Sequence, residues 1–231
     1  LLPKDAYFTP YQHALESGYS GDYGKALVFL EQGLKLAKGH PPMLFRKMLF
    51  LLSTGCVDEA AAMVSGLKNN PEVRHFVIST ARFLRNKIDS FPYADPSLVL
   101  RRILFPLAQT VEEFQELGGA CASFKAYEMG QQAFCQALKL DPTRDDIRLN
   151  LSDILRYQGD YAASMQVLED LERLSPKAPG IHFKRGQVYF EQKMPKEARK
   201  ELNEALREAS EEHFAPIQRY LTKLSEKCDA P

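Results

Sequence analysis

No charge of either sign dominates this sequence: 30 Lys+Arg stand against 30 Asp+Glu over 231 residues. A nucleic-acid binder carries a basic excess as its electrostatic footprint, so no nucleic-acid partner is expected. No run of 18 or more apolar residues occurs, so no membrane-spanning helix is expected. Cysteine is scarce: Cys56, Cys121, Cys135 and Cys228, with no C-x-x-C spacing. Cys121 and Cys135 are predicted on buried helical faces, where a free thiol acts as a small hydrophobe, and a reducing cytoplasm is the expected compartment. The histidines His13, His40, His75, His182 and His213 are scattered, none at metal-ligand spacing with Cys, Asp or Glu. No metal and no cofactor is therefore expected. A glycine-rich phosphate loop and a nucleophile elbow are both missing. Of two acidic runs that resemble paired catalytic carboxylates, Glu112-Glu113-Glu116 and Glu197-Glu201-Glu204-Glu208, the second is interleaved with Lys196, Arg199, Lys200 and Arg207. It reads as a solvated helix face with i,i+4 ion pairs. The chain is expected to be no enzyme. Its first residues, LLPKDAYFTP, show neither an initiator Met nor a signal-peptide layout, which leads us to expect a fragment or a processed chain.

What the sequence does have is core material and a period. Hydrophobic residues make up 45%, with 14 Phe and 10 Tyr, ample for a buried core and against disorder. The charges divide unevenly. Residues 1–110 hold 13 Lys+Arg and 9 Asp+Glu, a net of +4; the remainder hold 17 and 21, a net of −4. Residues 117–142 read LGGACASFKAYEMGQQAFCQALKLDP, and 151–176 read LSDILRYQGDYAASMQVLEDLERLSP. Shifted by 34 residues, Tyr127 falls on Tyr161, Phe134 on Leu168 and Pro142 on Pro176. Self-similarity at a fixed period of roughly 20–50 residues is the mark of a stacked-repeat architecture.

Small residues where two helices approach recur at Ala26, Ala60, Ala94, Gly130, Ser164 and Ala198. Six units follow, at about 7–40, 41–74, 75–110, 111–144, 145–178 and 179–212. Each is expected to be a helix, a tight turn and a second helix. Turns are predicted at Gly21-Asp22-Tyr23-Gly24, at Ser53-Thr54-Gly55, where glycine supplies positive φ, and at Gln158-Gly159-Asp160-Tyr161. The third unit is degenerate. Its proline-laden segment Asp89–Pro96 is either a longer loop or a contact with a partner, and its second helix, Ser97 to Leu104, is expected to stop at Pro106. A last helix over about 213–228, with Phe214, Ile217, Leu221 and Leu224 in one stripe, is expected to cover the open end of the array.

These residues resemble the tetratricopeptide repeat: Leu117-Gly118, Tyr127, Phe134, Ala137 and Pro142, then Gly159, Tyr161 and Pro176, Gly186, Tyr189 and Ala198, and Gly21, Tyr23 and Ala26. Met48 departs from the pattern at a small-residue position. The resemblance implies an all-α fold, a right-handed superhelix or solenoid of about six repeats plus a capping helix, as a single array over 1–231. It implies a groove lined by the first helix of each unit, which grips an extended or helical peptide. The candidate groove residues are Phe8, Tyr11, Leu15, Tyr19, Phe45, Leu49, Leu52, Phe76 and Phe83 in the first half. In the second half they are Asp153, Arg156, Tyr157, Phe183, Gln187 and Phe190, with Gln115, Asp146, Leu149, Asn150 and Lys184 beside them. An apolar, aromatic half beside a charged half fits a partner with a greasy anchor, of which a helix in a groove is one form. Some tetratricopeptide domains hold a carboxylate tail through Lys/Asn pairs; Tyr11, Leu15, Phe45 and Leu49 stand in those places and are unsuited to it. The expected function is a non-catalytic protein–protein interaction module acting as scaffold or adaptor. A recognition region of a larger enzyme and a self-associating homo-oligomer are the alternatives.

Overall fold

The computed structural model describes residues 6–66, 82, 95–209 and 211–228, with side chains placed for all but 211–213 and 225–228. Every regular element among the described residues is helical. They fall into two compact units, residues 1–126 and 127–231. The first holds α1 (Phe8–Tyr19), α2 (Tyr23–Leu36), α3 (Pro41–Ser53), α4 (Val57–Ser65), α5 (Pro96–Val99), a π-helical turn (Leu100–Leu104), α6 (Phe105–Leu107) and α7 (Val111–Ser123). The second holds α8 (Tyr127–Leu140), α9 (Asp145–Gln158), α10 (Tyr161–Leu174), α11 (Ile181–Glu191), α12 (Pro195–Glu208) and α13 (Glu211–Cys228). In the first unit α1 packs on α2, α2 on α3 and α3 on α4; in the second each helix packs on the next from α8 to α13. There α9 also touches α11, and α11 touches α13.

One turn recurs at the period of the sequence. Gly21, Gly55 and Gly159 have φ of 83°, 78° and 81°, and the lysines at the same place in their units, Lys125 and Lys193, have φ of 57° and 61°. The next residue then donates its N–H to the carbonyl five positions back. The pairs are Asp22 to Ser17, Cys56 to Leu51, Ala126 to Cys121, Asp160 to Leu155 and Met194 to Tyr189, all at 2.8–2.9 Å. This six-to-one bond closes a helix whose cap residue is left-handed. A side chain pays for that conformation through its Cβ, roughly 1–2 kcal/mol, against roughly 0.5–1 kcal/mol of extra chain entropy for glycine. Lys193→Gly is therefore expected to stabilise the second unit by about 0.5 kcal/mol in urea unfolding, and an unchanged midpoint would argue against the left-handed assignment. Asp22 and Asp160 strengthen their turns by accepting from Lys25 and Ala163 N–H groups at 3.0 Å, the N-cap bond of the following helix.

The close-approach positions are buried as their sizes require. Ala26, Ala60, Ser164 and Ala198 have no exposed surface, and Gly130 is buried. Ser164 satisfies its hydroxyl by donating to the Ser152 carbonyl at 2.8 Å, as a buried polar group must. Ala94, the segment from Asp89, and the third unit's first helix with Phe76 and Phe83 lie outside the described residues. Met48, in place of a small residue, is itself buried. The helix predicted to stop at Pro106 does not stop there. It opens into the π-helical turn Leu100–Leu104 and resumes at Phe105–Leu107 with Pro106 in its first turn. Proline lacks an N–H and crowds the carbonyl four residues back; the wider π turn just before it relieves both demands. No helix among the described residues is long and apolar enough to cross a membrane.

Cys121 is fully buried, and burial pushes its thiol up to about 12. Cys135 is half-buried and its thiol is also raised by desolvation. Neither is poised as a nucleophile. Glu113, one of the paired carboxylates, closes a capping box: its N–H donates to Thr110 Oγ1 at 3.2 Å, and its carboxylate accepts from the Thr110 N–H at 3.0 Å. Glu116 pairs with Arg82 at 2.6 Å.

Candidate functional site

The first helices of the two units differ in what they leave open. On α1, Phe8, Leu15 and Tyr19 recur at seven and four residues, within about 40° of one another around the axis at 100° per residue, with Tyr11 beside them. Phe8 is 53% exposed and Tyr19 80% exposed. Leu15 is half-buried, and Tyr11 is drawn into the cluster of Ala14, Ala26, Leu30, Met43 and Phe50, its ring 6.2 Å from that of His40. On α3, Phe45 and Leu49 are half-buried. Leu52 is a correction: with no exposed surface it is core, because α3 turns that side inward together with Met48 and Leu51.

In the second unit the expected charged half is closed on itself. The Arg156 guanidinium donates to Asp153 at 3.1 Å and to Glu191, while Lys184 donates to the other Asp153 oxygen. Arg156 is only 4% exposed. Burial alone would lower its pKa, but the Asp153 and Glu191 carboxylates more than offset that and hold it above its ordinary value. Its guanidinium carbon lies 4.3 Å from the Tyr157 ring centroid, and the Tyr157 and Tyr127 rings stack at 5.7 Å. Asp153, Arg156, Tyr157 and Lys184 are thus brought together. Glu191 was not singled out; it lies 35 residues from Arg156, one beyond the repeat step, and only the facing helix reveals it.

Phe183, Gln187 and Phe190 are covered by the chain itself. Tyr220 of α13 meets the Phe183 and Phe190 rings edge-on at 5.8 Å and 5.3 Å, and its hydroxyl accepts from the Gln187 amide at 3.2 Å. Ile217 and Leu224 of α13 are buried against Ala198, Leu202 and Ala205, whereas Phe214 stays partly exposed. These three residues therefore anchor the last helix, which needs an apolar seat to stay down.

Polar contacts run between helices as well as along them. His182 Nδ1 is 2.7 Å from Glu201 Oε2 and its Nε2 is 3.7 Å from Glu208, tying α11 to α12. A metal would need several donors on one point, and no such group is found among the described residues. Glu172 accepts two hydrogen bonds from Arg185, at 2.6 and 3.2 Å, which hold its carboxyl below the usual value of 4.5 against the opposing effect of burial. A depressed folded pKa stabilises above the unfolded pKa and is lost as pH falls through the folded one. Below about pH 4.5, the wild type is expected to lose more stability than Glu172→Gln, by under ~1 kcal/mol because the pair is half exposed. Parallel pH profiles of the two urea midpoints would contradict this.

Residues 126–179 and, overlapping them, 149–213 match the family model of the tetratricopeptide repeat. A tetratricopeptide repeat protein from Parabacteroides merdae shares the fold at 14% identity and a TM-score of 0.50, over 97% of this chain and 86% of that one. A thermophilic TPR protein from Thermus thermophilus is 17% identical over 95% of this chain and 99% of that one, with a TM-score of 0.40. No curated protein matches the sequence.

Proposed function

We propose that this chain, whose residues 126–213 match the tetratricopeptide repeat, is a non-catalytic interaction module whose open surface is the α1 face bearing Phe8 and Tyr19. Tetratricopeptide repeats generally mediate protein–protein interaction. The observation that carries the proposal is the contrast in exposure. Phe8 and Tyr19 offer aromatic rings to solvent on one helix face, while in the second unit Arg156, Asp153, Lys184, Phe183 and Phe190 are engaged within the chain and Tyr157, though 50% exposed, is held against Tyr127 and Arg156. Aromatic anchors supply most of the energy at protein interaction sites. Leu15, between the two rings on α1, adds half-buried apolar surface, so the partner segment presents an apolar anchor. The free thiols of Cys56, Cys121 and Cys135 fit a reducing compartment such as the cytoplasm.

A displayed peptide library selected on the full chain tests this. The selected peptides are expected to bind Phe8→Ser/Tyr19→Ser at least about tenfold more weakly, a loss of roughly 1.4 kcal/mol. The circular dichroism of the variant should match wild type, since both side chains are exposed. Equal affinity for the variant would overturn the proposal.

A further inference from the structure

We propose that α13 leaves its own chain and seats on α11 of a second copy, giving a dimer by exchange of this helix, independent of the α1 face. Three connections in the second unit lead from a repeat's second helix to the next first helix. The one from α8 to α9 holds Pro142, and the one from α10 to α11 holds Pro176, Pro179 and Gly180. The one from α12 to α13 is Ala209-Ser210, with neither proline nor glycine. Helices stop where glycine turns left-handed or where proline follows. Here α12 ends on Ala209 at φ −72° and ψ 135°, although alanine is the strongest helix former. Ala209 packs against the cluster of Ala198, Leu202, Ala205, Ile217 and Leu224. Tertiary contacts, and not the local sequence, therefore make this turn.

Those contacts form the seat of α13, and they do not depend on which copy supplies the helix. Ile217 and Leu224 are buried in the seat, and Tyr220 meets Phe183, Phe190 and Gln187. With Ala209 helical, α12 and α13 join into one helix over 195–228 and gain the backbone bonds that the turn interrupts. Pro216 already lies inside α13, so joining puts no new proline in a helix. Tyr220 then stands 12 residues past Glu208, about 18 Å along the axis and out of reach of its own α11. Two opened chains refill both seats by exchange, a closed and isologous arrangement. The exchanged form keeps the same α13 contacts as the closed one, so protein concentration decides between them.

The full chain is refolded from urea at low and at high concentration, and its mass is measured by light scattering after size exclusion. Refolding at high concentration should give a dimer. Ser210→Pro accepts the extended ψ of Ala209 but disfavours helix there. It should lower the dimer association constant at least about tenfold while the monomer keeps its urea midpoint. Phe8→Ser/Tyr19→Ser should leave the dimer unchanged, so the two sites fail separately. With p-benzoylphenylalanine at position 220, light should join two chains in the dimer fraction. The proposal is overturned by a wild type that stays monomeric, by equal dimerisation of Ser210→Pro, or by crosslinks confined to single chains. Loss of the dimer in Phe8→Ser/Tyr19→Ser would also overturn it, by moving the contact to the α1 face.

Discussion

Replacing Gly186 with valine is expected to cost the second unit about 2–3 kcal/mol and to lower its melting temperature by about 10 °C. A Cβ built on Gly186 falls 2.7 Å from Leu202 Cγ and 2.8 Å from its Cδ2, with the Leu202 backbone nitrogen at 3.4 Å. Leu202 has no exposed surface and is hemmed in by Ala198, Ala205 and α13, so it has nowhere to retreat. Alanine at 186 is the milder change, because its higher helix propensity, worth about 1 kcal/mol, offsets part of the clash. The double variant Gly186→Val/Leu202→Ala should be more stable than the sum of the single changes predicts, since the smaller residue vacates the contested space. Additive losses would mean that α11 and α12 do not approach this closely.

Arg156→Met is expected to cost about 2 kcal/mol. Removing one member of a fully buried ion pair costs roughly 3–5 kcal/mol. The figure is reduced here because the Asp153 and Glu191 side chains keep 19% and 30% of their surface in solvent, and Lys184 still neutralises Asp153. Glu191 is the group left stranded, so Arg156→Met/Glu191→Gln should recover about half of the loss. Arg156→Lys should not rescue it, because a single ammonium does not reproduce the forked contact with carboxylates on two helices. Loss of peptide affinity with unchanged stability would instead make Arg156 a ligand contact.

The architecture was legible because the repeat writes its constraints into residue types. Ala26, Ala60, Ser164 and Ala198 mark helix contacts that admit only small side chains, and Gly21, Gly55 and Gly159 mark left-handed caps. Lys125 and Lys193 hid the same cap, since the backbone there overrides the residue's preference. Pro106 misled for a related reason: a proline forbids an ordinary helical turn but tolerates a π turn before it. The groove was harder to read. Sequence placed Phe183, Gln187 and Phe190 on a first-helix face, which is where they are. It did not reveal that Tyr220, from a helix beyond the repeats, sits on them. Nor did it show Arg156 partnered by Glu191. Exposure is a property of pairs of helices, and a single-helix pattern shows only which residues compete for it.

The most direct measurement of the central claim is photo-crosslinking by p-benzoylphenylalanine, placed at position 19 in one sample and at position 157 in another, with a library-selected peptide bound. The α1 face predicts a covalent adduct from position 19 and little from position 157. An adduct from position 157 alone would place the binding surface on the second unit and contradict the account.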